Sequence, residues 1–96
     1  MTTSFLIVEP NSAFAGSLTD TLSKRYPSAT IEVAPTGAAC VEKLETAHPE
    51  IFFVDVRLPD TNGFHLCRRI KKAFPRSKVI LSANCDLPEY REAARS

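Results

Sequence analysis

The sequence predicts an α/β fold, a doubly wound parallel sheet with helices on both faces. Two observations carry that prediction. Four short apolar or alternating runs are strand-like, and between them lie segments whose apolar residues recur at helical spacing. Strands that alternate with helices give a parallel sheet covered on both sides. A third observation bounds it: with 96 residues and no internal repeat, low-complexity tract or linker, residues 1–96 make one domain.

The first strand is expected over residues 5–8, a continuous apolar run that ends at Glu9 and suits a strand covered on both faces. Asn11 or Ser12 can cap the helix that follows. Phe14, Leu18 and Leu22 repeat on one side of it, and Tyr26-Pro27 closes it. Residues 30–34 (T-I-E-V-A) alternate like a strand with one polar face. Pro35-Thr36-Gly37 is a turn. Ala38, Val41 and Leu44 then form the inner stripe of a second helix, which His48-Pro49 stops. Residues 51–56 are the second strongly apolar strand. Residues 64–74 make a third helix with Cys67, Ile70 and Phe74 inward, ended by Pro75. Residues 78–81 (K-V-I-L) are the fourth strand and finish at Ser82. Pro88 fits the first turn of a last helix.

Composition excludes several classes. The chain is 44% apolar and 24% charged with a net charge of +1, so nothing biases it toward nucleic acid or an anionic membrane. No apolar run approaches the ~18 residues a membrane span needs. The N-terminus lacks a basic stretch ahead of its four apolar residues, so no signal peptide is expected. Cys40, Cys67 and Cys85 form no CxxC unit and no zinc pattern with His48 and His65. They read as small thiols in a reducing cytoplasm.

The chemistry gathers at strand ends. In a doubly wound sheet, ligands bind outside the carboxyl ends of the strands. Three strands end on polar residues, Glu9, Asp55 and Ser82, which the topology brings to one edge. Two adjacent carboxylates repel and favour a hard cation such as Mg²⁺, which takes one or two carboxylates and fills its shell with water and phosphate oxygens. Beside such a cation Asp55 can act as a nucleophile toward a phosphoryl group, and Ser82 can donate a hydrogen bond to the new phosphoryl oxygen. The plainer alternatives are an Asp55 that only ends a strand and caps a loop, a solvated Glu9, and a Ser82 that satisfies a nearby backbone group.

The stretches "LIVE" at 6–9, "DVRLPDTNG" at 55–63 and "VILSA" at 79–83 resemble, in order and spacing, the receiver domain of two-component response regulators. The resemblance covers nearly the whole chain. It implies a flavodoxin-like fold with strand order 2-1-3-4-5 and phosphotransfer from a sensor histidine kinase or phosphotransfer protein. By position Asp55 resembles the phosphoacceptor. Glu9 resembles the first of the acids that organise Mg²⁺. Arg57 resembles the residue that lends its backbone carbonyl to the metal, its side chain remaining in solvent. Ser82 resembles the switch hydroxyl. Pro59 fixes a turn, and Gly63 supplies either a positive φ or close packing.

Two departures from the family pattern matter. The family's second acid falls on Pro10, which weakens the expected Mg²⁺ site by one ligand and one charge. Neighbouring Asn11 offers an amide oxygen in its place. Second, the sequence stops at Ser96 within the fourth helix, so the fold is expected to lack the fifth strand, its lysine and the last helix. An open edge at 78–81 would recruit other chains, and a homodimer or swapped oligomer is expected.

Three other functions compete with a phosphoacceptor that is not itself an enzyme. A pseudo-receiver would bind partners without efficient phosphorylation, and Pro10 favours it. Arg68, Arg69, Lys71, Lys72, Arg76 and Lys78 form a basic cluster open to nucleic acid, although a solvated helix face explains them. A hydrolase using Asp55 would need the D-x-D pattern of aspartate-nucleophile phosphatases, and Arg57 stands where its second Asp belongs.

Overall fold

The computed structural model describes residues 3–82. Within them four parallel strands and three helices alternate: β1 (Ser4–Val8), α1 (Ser12–Arg25), β2 (Thr30–Ala34), α2 (Gly37–Lys43), β3 (Ile51–Asp55), α3 (Gly63–Ala73) and β4 (Lys78–Ser82). The expected last helix at Pro88 and Cys85 lie outside the described residues.

The sheet order is β2-β1-β3-β4. Each pairing is parallel: Phe5 aligns with Ile31 and Ile51, and Phe52 with Val79. The two most apolar strands, β1 and β3, take the central positions because both of their faces are covered. Alternate side chains serve separate cores. Leu6, Val8, Phe52 and Val54 join Ala34, Cys40, Leu66 and Ile70 beneath α2 and α3. Phe5 and Ile7 join Ala15 and Leu22 beneath α1, with Leu18 and Phe53 packed alongside. Among the described residues the sheet is thus doubly wound, with one helix on one face and two on the other. Burying a large apolar side chain such as fully buried Phe52 stabilises by about 1.5–3 kcal/mol.

Each helix presents a slightly different face from the one its apolar spacing suggests. In α1 it is Ala15 and Leu22 that are buried, while Phe14 stays 43% exposed. In α2 Cys40 is buried and Ala38 is exposed, with Val41 and Leu44 half-buried as expected. In α3 Leu66 and Ile70 are buried, while Cys67 and Phe74 are only half-buried. The helix starts account for these rotations. Asn11 caps α1, Thr36 caps α2 and Asn62 caps α3, each accepting a backbone N–H two or three residues on. Once a cap sets the first turn, the phase of every later side chain follows from 3.6 residues per turn.

The helix ends are equally local in origin. Lys24 and Arg25 close α1, and Lys71 and Lys72 close α3, where cations complement the helix dipole. The Lys71 ammonium also donates to the carbonyls of Pro75 and Ser77, tying down the turn into β4. One member of the basic cluster therefore has a structural task. The other five side chains of that cluster lie on the exposed surface.

Candidate functional site

Parallel pairing places the carboxyl ends of the strands on one edge. Val8 aligns with Val54 and Asp55 with Ser82, so Glu9, Asp55 and Ser82 stand side by side on three neighbouring chain ends. Strands pair at roughly 4.8 Å, so the three residues share one small area. Asp55 is 3% exposed and Glu9 9%, whereas Ser82 is open to solvent. Two buried carboxylates on adjacent strands repel when both are ionised. That environment favours a cation between them.

Backbone donors orient both acids. The Asn11 N–H donates to Glu9 Oε2 at 3.0 Å, and the Arg57 N–H to Asp55 Oδ1 at 3.0 Å. The strand ends are closed by Glu9 N–H to the Ala34 carbonyl (3.0 Å) and Val56 N–H to the Ser82 carbonyl (2.9 Å).

The loop at 56–62 folds back on itself. Arg57 and Asn62 form an antiparallel bridge, and the Gly63 N–H donates to the Val56 carbonyl at 3.0 Å. Pro59 lies on the exposed outside of this loop. Of the two roles open to Gly63, close packing is the one observed, because no glycine has a positive φ among the described residues. A Cβ on Gly63 would stand 2.5 Å from the Asp55 carbonyl oxygen and 2.7 Å from Val56 Cα. The start of α3 is therefore seated directly on the backbone that presents Asp55.

The Asn11 side chain is engaged in the start of α1. Its side-chain oxygen accepts from the Ala13 and Phe14 amides at 3.0 and 3.1 Å, the N-cap of α1. Capping competes for that oxygen because these amides have no partner within the helix. Pro10 is exposed and brings no carboxylate.

The donor set present suits a hard, well-hydrated cation. Among the described residues no group of three or more His, Cys, Asp or Glu is arranged for a metal. The two buried acids Glu9 and Asp55 supply only oxygen. Mg²⁺ commonly makes do with one or two carboxylates while keeping several waters. Among the described residues no thiol faces this edge, since Cys40 is sealed in the core and Cys67 sits on α3.

A cleft of about 320 Å³ opens beside the site, where Glu9 and Ser82 meet Phe14, Leu18, Thr21 and Phe53. It explains why Phe14 is not tucked inward: its ring forms a wall of this cleft. A larger cavity of about 640 Å³ lies at the opposite, amino-terminal edge of the strands, between Thr3, Glu50, Phe74 and Lys78. That edge carries none of the three converging polar residues.

One residue of the site region had no signal in the sequence. Asp60, in the middle of the loop, accepts the Gly37 N–H with Oδ1 and the Ala38 N–H with Oδ2, both at 2.9 Å. The Gly37 amide, and after it the Ala38 amide, hold its carboxyl below the usual carboxylate range. The loop that presents Asp55 is thereby joined to the first turn of α2. Its partners lie 23 and 22 residues upstream, beyond any local pattern.

Comparison with known proteins agrees with this geometry. The response regulator receiver domain model matches residues 5–96. A protein-glutamate methylesterase/protein-glutamine glutaminase of Colwellia psychrerythraea is 31% identical over 78 residues, 81% of this chain and 21% of that protein. The aerobic respiration control sensor protein ArcB of Escherichia coli is 33% identical over 69 residues, 66% of this chain and 9% of that protein. The chain thus spans 21% of the first relative and 9% of the second. Among solved structures, a CheY-like response regulator receiver domain protein of Methanospirillum hungatei superposes with a TM-score of 0.80 at 23% identity, over 99% of this chain and 74% of that one.

Proposed function

The chain belongs to the response regulator receiver domain family of two-component signalling, and on that premise we propose that Asp55 accepts a phosphoryl group from a histidine kinase or phosphotransfer protein. The observation that carries this reading is the pairing of two buried acids, Glu9 and Asp55, on adjacent strand ends beside the exposed hydroxyl of Ser82. An Asp55 that merely ended a strand would gain nothing from burial next to a second acid.

In the transfer, an Asp55 carboxylate oxygen attacks phosphorus and forms the new P–O bond. The bond from phosphorus to the donor breaks, and the donor nitrogen or oxygen leaves with the electron pair. Bound Mg²⁺, held by Glu9, Asp55 and the Arg57 carbonyl, would neutralise charge on the phosphoryl oxygens. The Arg57 amide holds one Asp55 oxygen in place. Ser82, aligned with Asp55 one strand over, would donate its hydroxyl to a phosphoryl oxygen. A new charge of about −1.5 to −2 at that edge would draw on Ser82 and reorganise the adjoining partner surface.

The test is incubation with Mg²⁺ and acetyl phosphate, followed by intact mass. One phosphoryl adduct is expected on the wild type and none on Asp55→Ala. An adduct that persists in Asp55→Ala, or no adduct on the wild type, counts against the acceptor role.

A second reading is favoured by Pro10 and by the engagement of the Asn11 oxygen in the α1 cap. It is a pseudo-receiver that binds partners without efficient phosphorylation. Its signature is a partner bound equally by the wild type and Asp55→Ala. Either reading describes a signalling domain, residues 1–96, rather than an enzyme. Unbridged Cys40 and Cys67 support a cytoplasmic setting, and among the described residues no helix is long and apolar enough to cross a membrane. Self-association has one observation behind it: β4 is the outermost strand of the described sheet on its side, with Ile80 45% exposed. Sedimentation equilibrium showing only monomer at high concentration would argue against it. Nucleic acid is not a proposed partner, since net charge is +1 and Lys71 is spent on the α3–β4 turn.

A further inference from the structure

We propose that Asp60 is a positioning residue for the chemistry at Asp55, fixing the acceptor loop to the first turn of α2. This rests on Asp55 being the phosphoacceptor.

The loop at 56–62 is tied to β3 at both ends. At its start the Arg57 N–H binds the Asp55 carboxylate, and at its close Gly63 packs on the Asp55 carbonyl and donates to Val56. Between those ties Asp60 joins the middle of the loop to α2, gripping two successive amides of that helix with its two oxygens. The opposing surface is cut to fit. A Cβ on Gly37 would stand 2.6 Å from Thr61 Cγ2 and 3.3 Å from Asp60 Oδ1, so a side chain there would push the loop off α2. Asp60 is itself on the protein surface, so the contact is unlike a core-packing device. What it determines is where the middle of the acceptor loop lies, and through Arg57 how the Asp55 carboxylate is turned. The metal-binding carbonyl expected at Arg57 moves with the same segment.

Asp60 also contributes to capping α2, and that purely structural role must be separated from positioning. Thr36 provides the control. Its hydroxyl caps the same helix, accepting the Ala39 N–H at 3.0 Å, but it lies outside the acceptor loop. A residue whose importance ends at capping should behave like Thr36.

The experiment compares Asp60→Ala, Thr36→Ala and Gly37→Ala with the wild type, each well below its own unfolding midpoint. Two quantities are read: the rate of adduct formation from acetyl phosphate with Mg²⁺, and amide hydrogen exchange at Arg57 and Gly63. Misplacement of a reacting group by about 1 Å can cost ~100-fold in rate, so a partial release of the loop should slow Asp60→Ala by at least about fivefold. Exchange at Arg57 should quicken alongside. Gly37→Ala should shift both readouts in the same direction, and Thr36→Ala should leave both within about twofold of the wild type. Equal effects of Asp60→Ala and Thr36→Ala, or wild-type values in Asp60→Ala, overturn the proposal. Should the wild type form no adduct, the acceptor reading of Asp55 fails. Arg57 exchange unchanged in Asp60→Ala then overturns the loop anchor as well, whereas faster exchange upholds it.

Discussion

Cys40 lies wholly buried on the inner face of α2, and burial pushes its thiol up to about 11. The folded state holds that proton more tightly than the unfolded chain does. The associated stability is therefore complete below the unfolded value near ~8.5 and is lost as pH rises toward the folded one. Thermal unfolding of the wild type should weaken above about pH 9, and Cys40→Ala should show a flatter alkaline limb. Iodoacetamide at pH 8 should leave Cys40 unmodified in the native protein, since neither access nor thiolate is available. Gly63 is the second position where one atom decides much. Gly63→Ala places a methyl 2.5 Å from the Asp55 carbonyl oxygen, a backbone atom that cannot swing aside. Overpacking of this kind costs about 1–3 kcal/mol, to be measured by urea unfolding. Single residues were also where the sequence misled. Phe14 was expected by its spacing to share one side with Leu18 and Leu22, but Ala15 is the buried residue of that turn, and the Phe14 ring is left to wall a cleft. Leu66, rather than Cys67, takes the centre of α3 for a similar reason of phase.

Among the elements, α2 depends most on its neighbours. Seven residues are too few for a helix to hold by itself. Its leading amides are met one by one: Gly37 and Ala38 by Asp60, and Ala39 by Thr36. Thr36→Ala should cost about 1 kcal/mol in chemical denaturation, the usual value of an N-cap. The Asp60 contacts carry a pH signature. Because the folded carboxyl titrates below its unfolded value, their contribution is complete above about pH 4 and fades as pH falls through the folded value. Protection of the Gly37 and Ala38 amides, taken relative to their intrinsic exchange rates, should fall on acidification in the wild type, and Asp60→Asn should lose that fall. Protection at those amides that stays constant below pH 4 would deny the carboxylate its role. The strands were legible because burial on both faces leaves a plain apolar run, as in 5–8 and 51–54. The caps were legible at Asn11 because Asn before a periodic segment has a local cause. Asp60 was not, since nothing within its own turn marks a partner in another βα unit.

Across the whole molecule, one edge of the sheet concentrates negative charge while the net charge is only +1. That edge was visible in the sequence, since Glu9, Asp55 and Ser82 each follow an apolar run, but the fate of the Asn11 oxygen needed three dimensions. With Asn11 committed to α1 and Pro10 without a carboxylate, the two buried acids Glu9 and Asp55 would offer the proposed Mg²⁺ one charge fewer than the family pattern supplies. Any ligand that binds only the folded state raises its stability, by about 2.7 kcal/mol at a hundredfold excess over Kd. Mg²⁺ should therefore raise the unfolding midpoint of the wild type modestly, and Asp55→Ala should abolish the rise. Pro10→Asp restores the missing acid. Without metal it should lower the midpoint, because a third carboxylate joins two that already repel and because the unfolded chain gains freedom when proline is removed. With metal the order should reverse. One added charge near a dication is expected to tighten binding by roughly tenfold, or ~1.4 kcal/mol. The check is a MgCl₂ titration followed by thermal unfolding, with CaCl₂ and NaCl at matched ionic strength as controls. If both proteins show the same Mg²⁺-dependent shift, position 10 does not reach the metal. A larger shift in Pro10→Asp would show that position 10 sets the strength of the proposed cation site.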